Sequence, residues 1–452
     1  MKKLLFLFFL ISISFSCSDD SSSPNIVIDT SRENSGGHTT LFTMSNIAYS
    51  MPAPNLTGEH FDRHMDGDTD FERIFVTAPA PLNPGLGSVY NNSSCIKCHP
   101  SDGRGKLMVD DINGFTSFLL RISIPGTDAN NGALAAPGYG TQLQNHALPG
   151  FSPEVTYVIH IEERTETLAD GTLVTLRKPV FTITNPYTPL PAGYMLSPRI
   201  APPIFGLGLL EAIPETDILA ATDEYDTDGD GISGKANYVW NAATQRTELG
   251  RFGWKANAPT VQTQVAGAYH DDMGITSYVL PNEEYDDGLT DDPEISAEIL
   301  DNVVFYCQTL AVPAARNVDN TQVHRGYQIF EEIACSKCHT PQQRTLTADY
   351  DELSHQTFYP FTDMLLHDMG EDLADNRPDY LANGLEWQTR PLWGIGLQQI
   401  VNGHTEFLHD GRARNLTEAI LWHGGEAEES KNNFKNLSTK DREDLLKFLN
   451  SL

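Results

Sequence analysis

Cys95-Ile96-Lys97-Cys98-His99 and Cys335-Ser336-Lys337-Cys338-His339 are the two stretches that decide how this chain folds. Each sets two thiols three positions apart, with a histidine directly after the second. Thiols so spaced reach the two vinyl groups of one porphyrin as thioethers, and the adjacent imidazole then reaches the iron. A bare Cys-x-x-Cys also suits a redox pair or zinc. A histidine at the fifth position of both copies selects covalently bound haem c. The expectation is two haems, one attached at Cys95 and Cys98 with His99 on its iron, the other at Cys335 and Cys338 with His339 on its iron.

Four of the 6 cysteines are spent in this way. Cys17 closes an N-terminal apolar run and Cys307 is left, so no pair remains for a structural disulfide. Haem c is attached outside the cytoplasm, so an exported chain is expected even without disulfides. Lys2 and Lys3 followed by the apolar residues 4–15 have the shape of a signal peptide. Ser14-Phe15-Ser16-Cys17 resembles a lipobox, which implies cleavage before Cys17 and acylation of its thiol; an ordinary secretory signal is the other reading. The location expected is the cell envelope, as a periplasm-facing or surface lipoprotein of a Gram-negative outer membrane. No later stretch is long and apolar enough to span a bilayer. The net charge of −31 argues against nucleic acid, because phosphate contacts need Lys and Arg. It suits a self-repelling, soluble surface or a cationic partner.

The chain divides into a lipoprotein signal peptide (1–17), a polar linker (18–40), an N-terminal haem c domain with an insert (41–315) and a C-terminal cytochrome c-like haem domain (316–452). The fold class expected is mainly α, with two cytochrome c-like haem domains, the first interrupted by short β-strands. Alternating polar and apolar residues at 154–161 and 171–176 predict a hairpin turning at Asp170-Gly171. Ile295, Ile299, Val303, Val304, Cys307 and Leu310 share one face of a helix ending before Pro313, which makes Cys307 a core residue. In the second domain a helix over 323–333 delivers Cys335. A capping-box-like Ser438 to Asp441 starts the last helix, whose Leu445, Leu449 and Leu452 would pack across the first.

Two further segments match each other weakly. Phe252-Gly253-Trp254 leads through a small-residue turn to Thr260-Val261, and Phe407-Leu408-His409 leads likewise to Asn415-Leu416. Each follows one haem motif and sets a capping residue before an apolar helix start. Separately, Asp226-Thr227-Asp228-Gly229-Asp230-Gly231-Ile232 has the carboxylate spacing and sixth-position glycine of a calcium loop, with Asp226, Asp228, Asp230 and the Ile232 carbonyl as ligands. Asn237 stands at position twelve where a bidentate Glu is usual, and a plain Asp-Gly turn reads equally well.

With Asn92 to His99, Asp102-Gly103-Arg104-Gly105, Ser197-Pro198-Arg199, Gly250-Arg251-Phe252-Gly253-Trp254, Asp363 to Gly370 and Phe407 to Ala413, the chain resembles bacterial di-haem cytochrome c peroxidases. It is more closely similar to the di-haem oxidoreductase family often labelled thiol oxidoreductase-like, from about residue 40 to the end. The resemblance implies an N-terminal haem that reacts with peroxide and a C-terminal haem that relays electrons. It puts His423 where the peroxidases carry a methionine as sixth ligand, so the second iron would be held by His339 and His423. Counting from Trp254 as from His409, the matching position in the first half is Ala268, which cannot ligate iron. Gln264 and Asp272 correspond to the family's distal glutamine and, with one deletion and a shorter side chain, its glutamate. An exposed acidic turn is the other reading of Asp272. Arg199, Arg251, Arg390 and Arg412 are candidates to hold haem propionates, and Trp254 is either a relay between haems or a core residue. The implied partners are an electron-donor protein or quinol-linked cytochrome and a small oxidant such as peroxide. A pure electron-transfer cytochrome, with both irons six-coordinate, is the alternative.

Overall fold

The computed structural model describes residues 28–107, 117–283 and 293–452. The signal peptide, Cys17 and the first part of the linker lie outside the described residues. Helix makes up 29% of the structure and strand 20%, the latter spread over several small sheets, so the mainly α class with two cytochrome c-like domains is corrected to a mixed α and β fold. The cause is the insert. Its alternating residues build strands far longer than the short ones expected, and the loops of both halves add two-stranded ladders.

In the first half α1 (Gly58–Phe71) precedes the first Cys-x-x-Cys-His motif, and α2 (Val261–Met273) and α3 (Ala297–Thr309) follow the insert. In the second half α4 (Thr321–Glu332) precedes the motif, and α5 (Leu416–Trp422) and α6 (Thr439–Leu449) follow it. The two halves repeat one packing device. Where α1 crosses α3, a Cβ on Gly67 would overlap the Asn302 carbonyl and crowd Tyr306. Where α4 crosses α6, a Cβ on Gly326 would overlap the Asp444 carbonyl and crowd Phe448. Both crossings therefore need a residue without a side chain. Ser438 caps α6 by accepting from the Asp441 amide at 3.1 Å.

The weak sequence match is also real in three dimensions. Phe252 bridges Ala258 just before α2, and Phe407 bridges Ala413 just before α5. Thr260 then accepts from the Thr263 amide at 3.1 Å, and Asn415 accepts from the Glu418 amide at 2.9 Å, each satisfying a donor at the helix start.

The insert contributes β1 (Phe118–Thr127), β2 (Gln142–Leu143), β3 (Thr156–Thr167), β4 (Leu173–Thr184) and β5 (Met195–Ile200). β3 and β4 form the hairpin, turning through Asp170 and Gly171, the latter at φ 84°. Its tip is tied to the second half by Asp170 with Arg442 and by Glu166 with Lys435. Further down, Arg177 donates to Glu406 at 2.6 Å and to the Gly411 carbonyl at 2.8 Å. β1 pairs with β5 on one edge and with β2 on the other. Thr40-Leu41 pairs in parallel with Val312-Pro313, and the Arg32 guanidinium lies 3.7 Å from the Tyr327 ring centre, so residues 31–41 pack against both halves. The two largest cores do not follow the sequence halves either: Trp254 belongs with the second, while Phe358, Trp393 and Leu397 belong with the first.

Candidate functional site

Each Cys-x-x-Cys-His motif opens onto a largely apolar cavity. The first encloses about 1350 Å³, mouth included, between Cys95, Cys98 and His99 on one side and Gln264, Ala268 and Asp272 of α2 on another. The second encloses about 1440 Å³ between Cys335, Cys338 and His339 and, from α5 onward, Leu416, Ala419, Ile420 and His423. All four motif cysteines are free thiols, and burial pushes Cys95 and Cys335 up to about 12. They are not paired with each other, and Cys338 Sγ lies 3.6 Å from His367 Nδ1, in a group with Asp363 that could also hold a metal ion. A free thiol facing an apolar slot is what thioether formation requires. Cys307 also lines the first cavity, on the buried face of α3.

Three imidazoles are set alike. His99 Nδ1 lies 2.8 Å from the Pro202 carbonyl, His339 Nδ1 3.0 Å from that of Phe361, and His423 Nδ1 2.7 Å from that of Ala419. A carbonyl only accepts, so in each ring Nδ1 carries the proton and Nε2 keeps its lone pair. Burial lowers His99 and His339 to about 4, which holds both rings neutral. A neutral ring with a fixed tautomer is the form that binds iron.

The two cavities differ on the wall opposite the motif histidine. Gln264, Ala268 and Asp272 lie four residues apart on α2 and so share one helix face. Counted from the bridge and the cap alike, His423 occupies in the second cavity the position Ala268 occupies in the first. Beside that alanine, burial pushes Asp272 up to about 6, and the nearby Arg121 guanidinium and the Gln142 amide offset part of the rise. Burial would raise its neighbour Asp271 as well. There Arg121, at 2.6 Å, and His270, at 2.8 Å, overcome it and hold the carboxyl well below the usual carboxylate range. Arg121 and Gln142 escaped the sequence reading. They are directly opposed on β1 and β2, and only sheet pairing brings them to α2.

Trp254 and Arg390 line both cavities and form part of the wall between them. The indole donates to the Ile200 carbonyl at 2.9 Å. The guanidinium carbons of Arg104 and Arg390 lie 5.2 and 5.3 Å from its centroid. His409 stands 6.4 Å from Trp254 and stacks on Trp387 at 3.9 Å, all three rings lining the second cavity. Burial lowers Arg390 to about 10; it donates to the Gly253 carbonyl and to Gln388 and has no carboxylate partner among the described residues. Arg104, lowered to about 9 by burial and by Arg390, keeps its Nε buried without a partner among the described residues. Buried cations short of an anion are costly, and the propionates of a bound haem would supply that anion. Arg104 comes from the first motif's own segment yet lines the second cavity, a crossing that spacing alone does not reveal.

The remaining propionate candidates are placed differently. Arg199 lines the first cavity but is engaged by Asp379 at 3.1 Å. Arg251 caps the short helix Leu207–Glu211, donating to the Leu210 and Ile213 carbonyls, and is in neither cavity lining. Arg412 is in neither lining; it is held by Asp410 at 2.8 Å and faces Trp422. In the acidic loop the carboxylates of Asp223, Asp226 and Asp228 converge, while Asp230 pairs with Lys337 at 2.5 Å and Ile232 lines the second cavity. Asp230, the third of the expected ligands, is thus turned toward the second haem motif, and Asp223, which was not among them, takes its place beside Asp226 and Asp228.

No curated protein and no solved structure matches the chain. A family model described as "Di-haem oxidoreductase, putative peroxidase" matches residues 29–452, a span that contains both motifs, both cavities and the wall between them. The donor sets fit two haems, and the chain belongs to the di-haem oxidoreductase family.

Proposed function

We propose that the protein is an exported, lipid-anchored oxidoreductase that receives electrons at the second cavity and spends them in the first, reducing peroxide to water. The observation that carries this reading is the contrast between Ala268 and His423, which stand at the same distance along the chain from the bridge and cap, Ala268 inside α2 and His423 directly after the end of α5. The bound haems supply the electron storage and the redox step. The protein residues supply the rest. His423, with Nε2 free, closes the second site to substrate and leaves it to pass electrons. A second imidazole in place of methionine also lowers the potential there, which favours onward donation. Ala268 leaves room for a small oxidant over the first site.

Reducing peroxide consumes two electrons and two protons and yields two waters. Asp272 is the proton carrier, accepting from the near peroxide oxygen and returning the proton to the departing one. A carboxyl raised to about 6 is suited to both roles near neutral pH. The Gln264 amide offers a hydrogen bond to orient the oxidant. Trp254, common to both linings, is the route between the two sites. Calcium at the 226–232 loop is an accessory of this reading, with Asp223, Asp226 and Asp228 as the ligands nearest one another.

Absorbance spectra test the proposal. One high-spin and one low-spin haem are expected, the high-spin one shifting with cyanide and oxidising reduced protein when peroxide is added. Two low-spin haems indifferent to cyanide would leave only an electron carrier. Radiolabelled fatty acid should appear on the wild-type chain and be absent from Cys17→Ala. Label on neither would remove the anchor.

A further inference from the structure

The insert does more than bridge the halves: its sheet forms one side of the first cavity. Arg121 and Leu119 of β1 and Arg199 of β5 line it. Gln142 stands opposite Arg121 in the β1–β2 register, fully buried and outside the cavity lining. Its Nε2 lies 2.6 Å from Asp272 Oδ1, 2.5 Å from Asn91 Oδ1 and 3.1 Å from the Asp271 carbonyl. Asn91 is itself fixed, donating to the Leu143 carbonyl at 2.8 Å and to Asn145 at 3.1 Å. Three acceptors around one NH₂ keep the amide turned with its nitrogen toward Asp272, although this leaves Gln142 Oε1 buried with no partner among the described residues. A buried oxygen without a partner is destabilising, and the arrangement accepts it to keep the nitrogen on Asp272.

We infer that Gln142 is a positioning residue for the proton carrier of the first site: it ties down Asp272 Oδ1, leaves Oδ2 to the cavity, and sets the pH range over which the carboxyl works. This rests on the reading of the first cavity as the reaction site. The charged and titratable groups around Asp272 are Arg121 from β1, Asp271 on the same helix, and Cys95 and Cys98 of the motif, which are thioethers in the loaded protein. A donor to a carboxylate favours its charged form. Removing the donor therefore makes Asp272 harder to ionise.

The test uses the haem-loaded protein and two independent readouts. The Asp272 midpoint is read from its carboxyl infrared band, identified as the band missing in Asp272→Asn. Gln142→Leu and the isosteric Gln142→Glu should each move that midpoint upward by about one pH unit, the equivalent of one charge-assisted hydrogen bond. An unchanged low-spin spectrum of the second haem reports an intact fold. The rate of cyanide binding to the first haem, followed against pH, should move in the same direction. A midpoint that stays within 0.2–0.3 units, as a rough allowance for experimental error in a pKa, in both variants overturns the inference, whatever cyanide does. A midpoint that moves in a protein that never binds cyanide leaves the Gln142–Asp272 pair standing and removes the open site.

Discussion

The two cavities are built from the same parts and differ at one decisive point. Each has a glycine-dependent helix crossing, a Cys-x-x-Cys-His turn, and a bridge and cap that launch a helix across the slot. In one, His423 follows directly on the end of that helix, and in the other the helix runs on and carries Ala268 at the matching position. On the proposed reading, a shared scaffold would yield a closed site and an open one through the loss of a single imidazole. The insert then adds to the first cavity alone Arg121 and Gln142, around a carboxyl held near 6.

The sharpest way to break the contrast is Ala268→His. It should close the first site, turn the high-spin spectrum low-spin and take peroxide turnover to background. Asp272→Asn should leave the site open to cyanide but slow peroxide reduction by roughly 10²–10⁴-fold, the usual worth of a positioned acid–base group. Wild-type kcat/KM should fall about tenfold per pH unit below about 6, where Asp272 takes up a proton, and the Asn variant should lack that limb. The stability sign is the reverse of a salt bridge. The folded carboxyl binds its proton more tightly than the 3.8 of the unfolded chain, so its charge costs stability as pH rises toward 6. The Asn variant should therefore gain in Tm relative to wild type over that interval.

Effects on the scaffold are smaller. Gly67→Ala and Gly326→Ala should each destabilise by about 1–3 kcal/mol in thermal unfolding, against the gain alanine brings in an ordinary helix. Stabilisation in either would mean that the crossings are looser than described. The mildest change expected is His423→Met: a higher potential for the second haem in a redox titration, and slower delivery of electrons to the first.

What could be read in the sequence was local. The two motifs, the helix carrying Cys307, the capped start of α6 and the turn at Asp170-Gly171 depend on neighbours a few residues away. The equivalence of Ala268 and His423 was also readable, because the bridge and cap keep the same spacing in both halves. The mixed fold class was not, since haem motifs signal helices strongly while the insert's alternation was seen only in fragments. Arg121 and Gln142 carry no local signature; their role arises from cross-strand register. Arg251 and Arg412 looked like propionate partners because cationic residues in motif segments are common there, yet carbonyls and Asp410 claim them.

Arg104, placed shortly after His99 but lining the opposite slot, and Arg390, reaching back to both, make the partition a joint product of distant chain segments. If the haems are attached at the two motifs, neither could then be installed in a finished compartment while the other half is still unformed. Maturation is expected to be all-or-none, so that a chain unable to attach porphyrin at Cys95 and Cys98 would under-load at Cys335 and Cys338 as well.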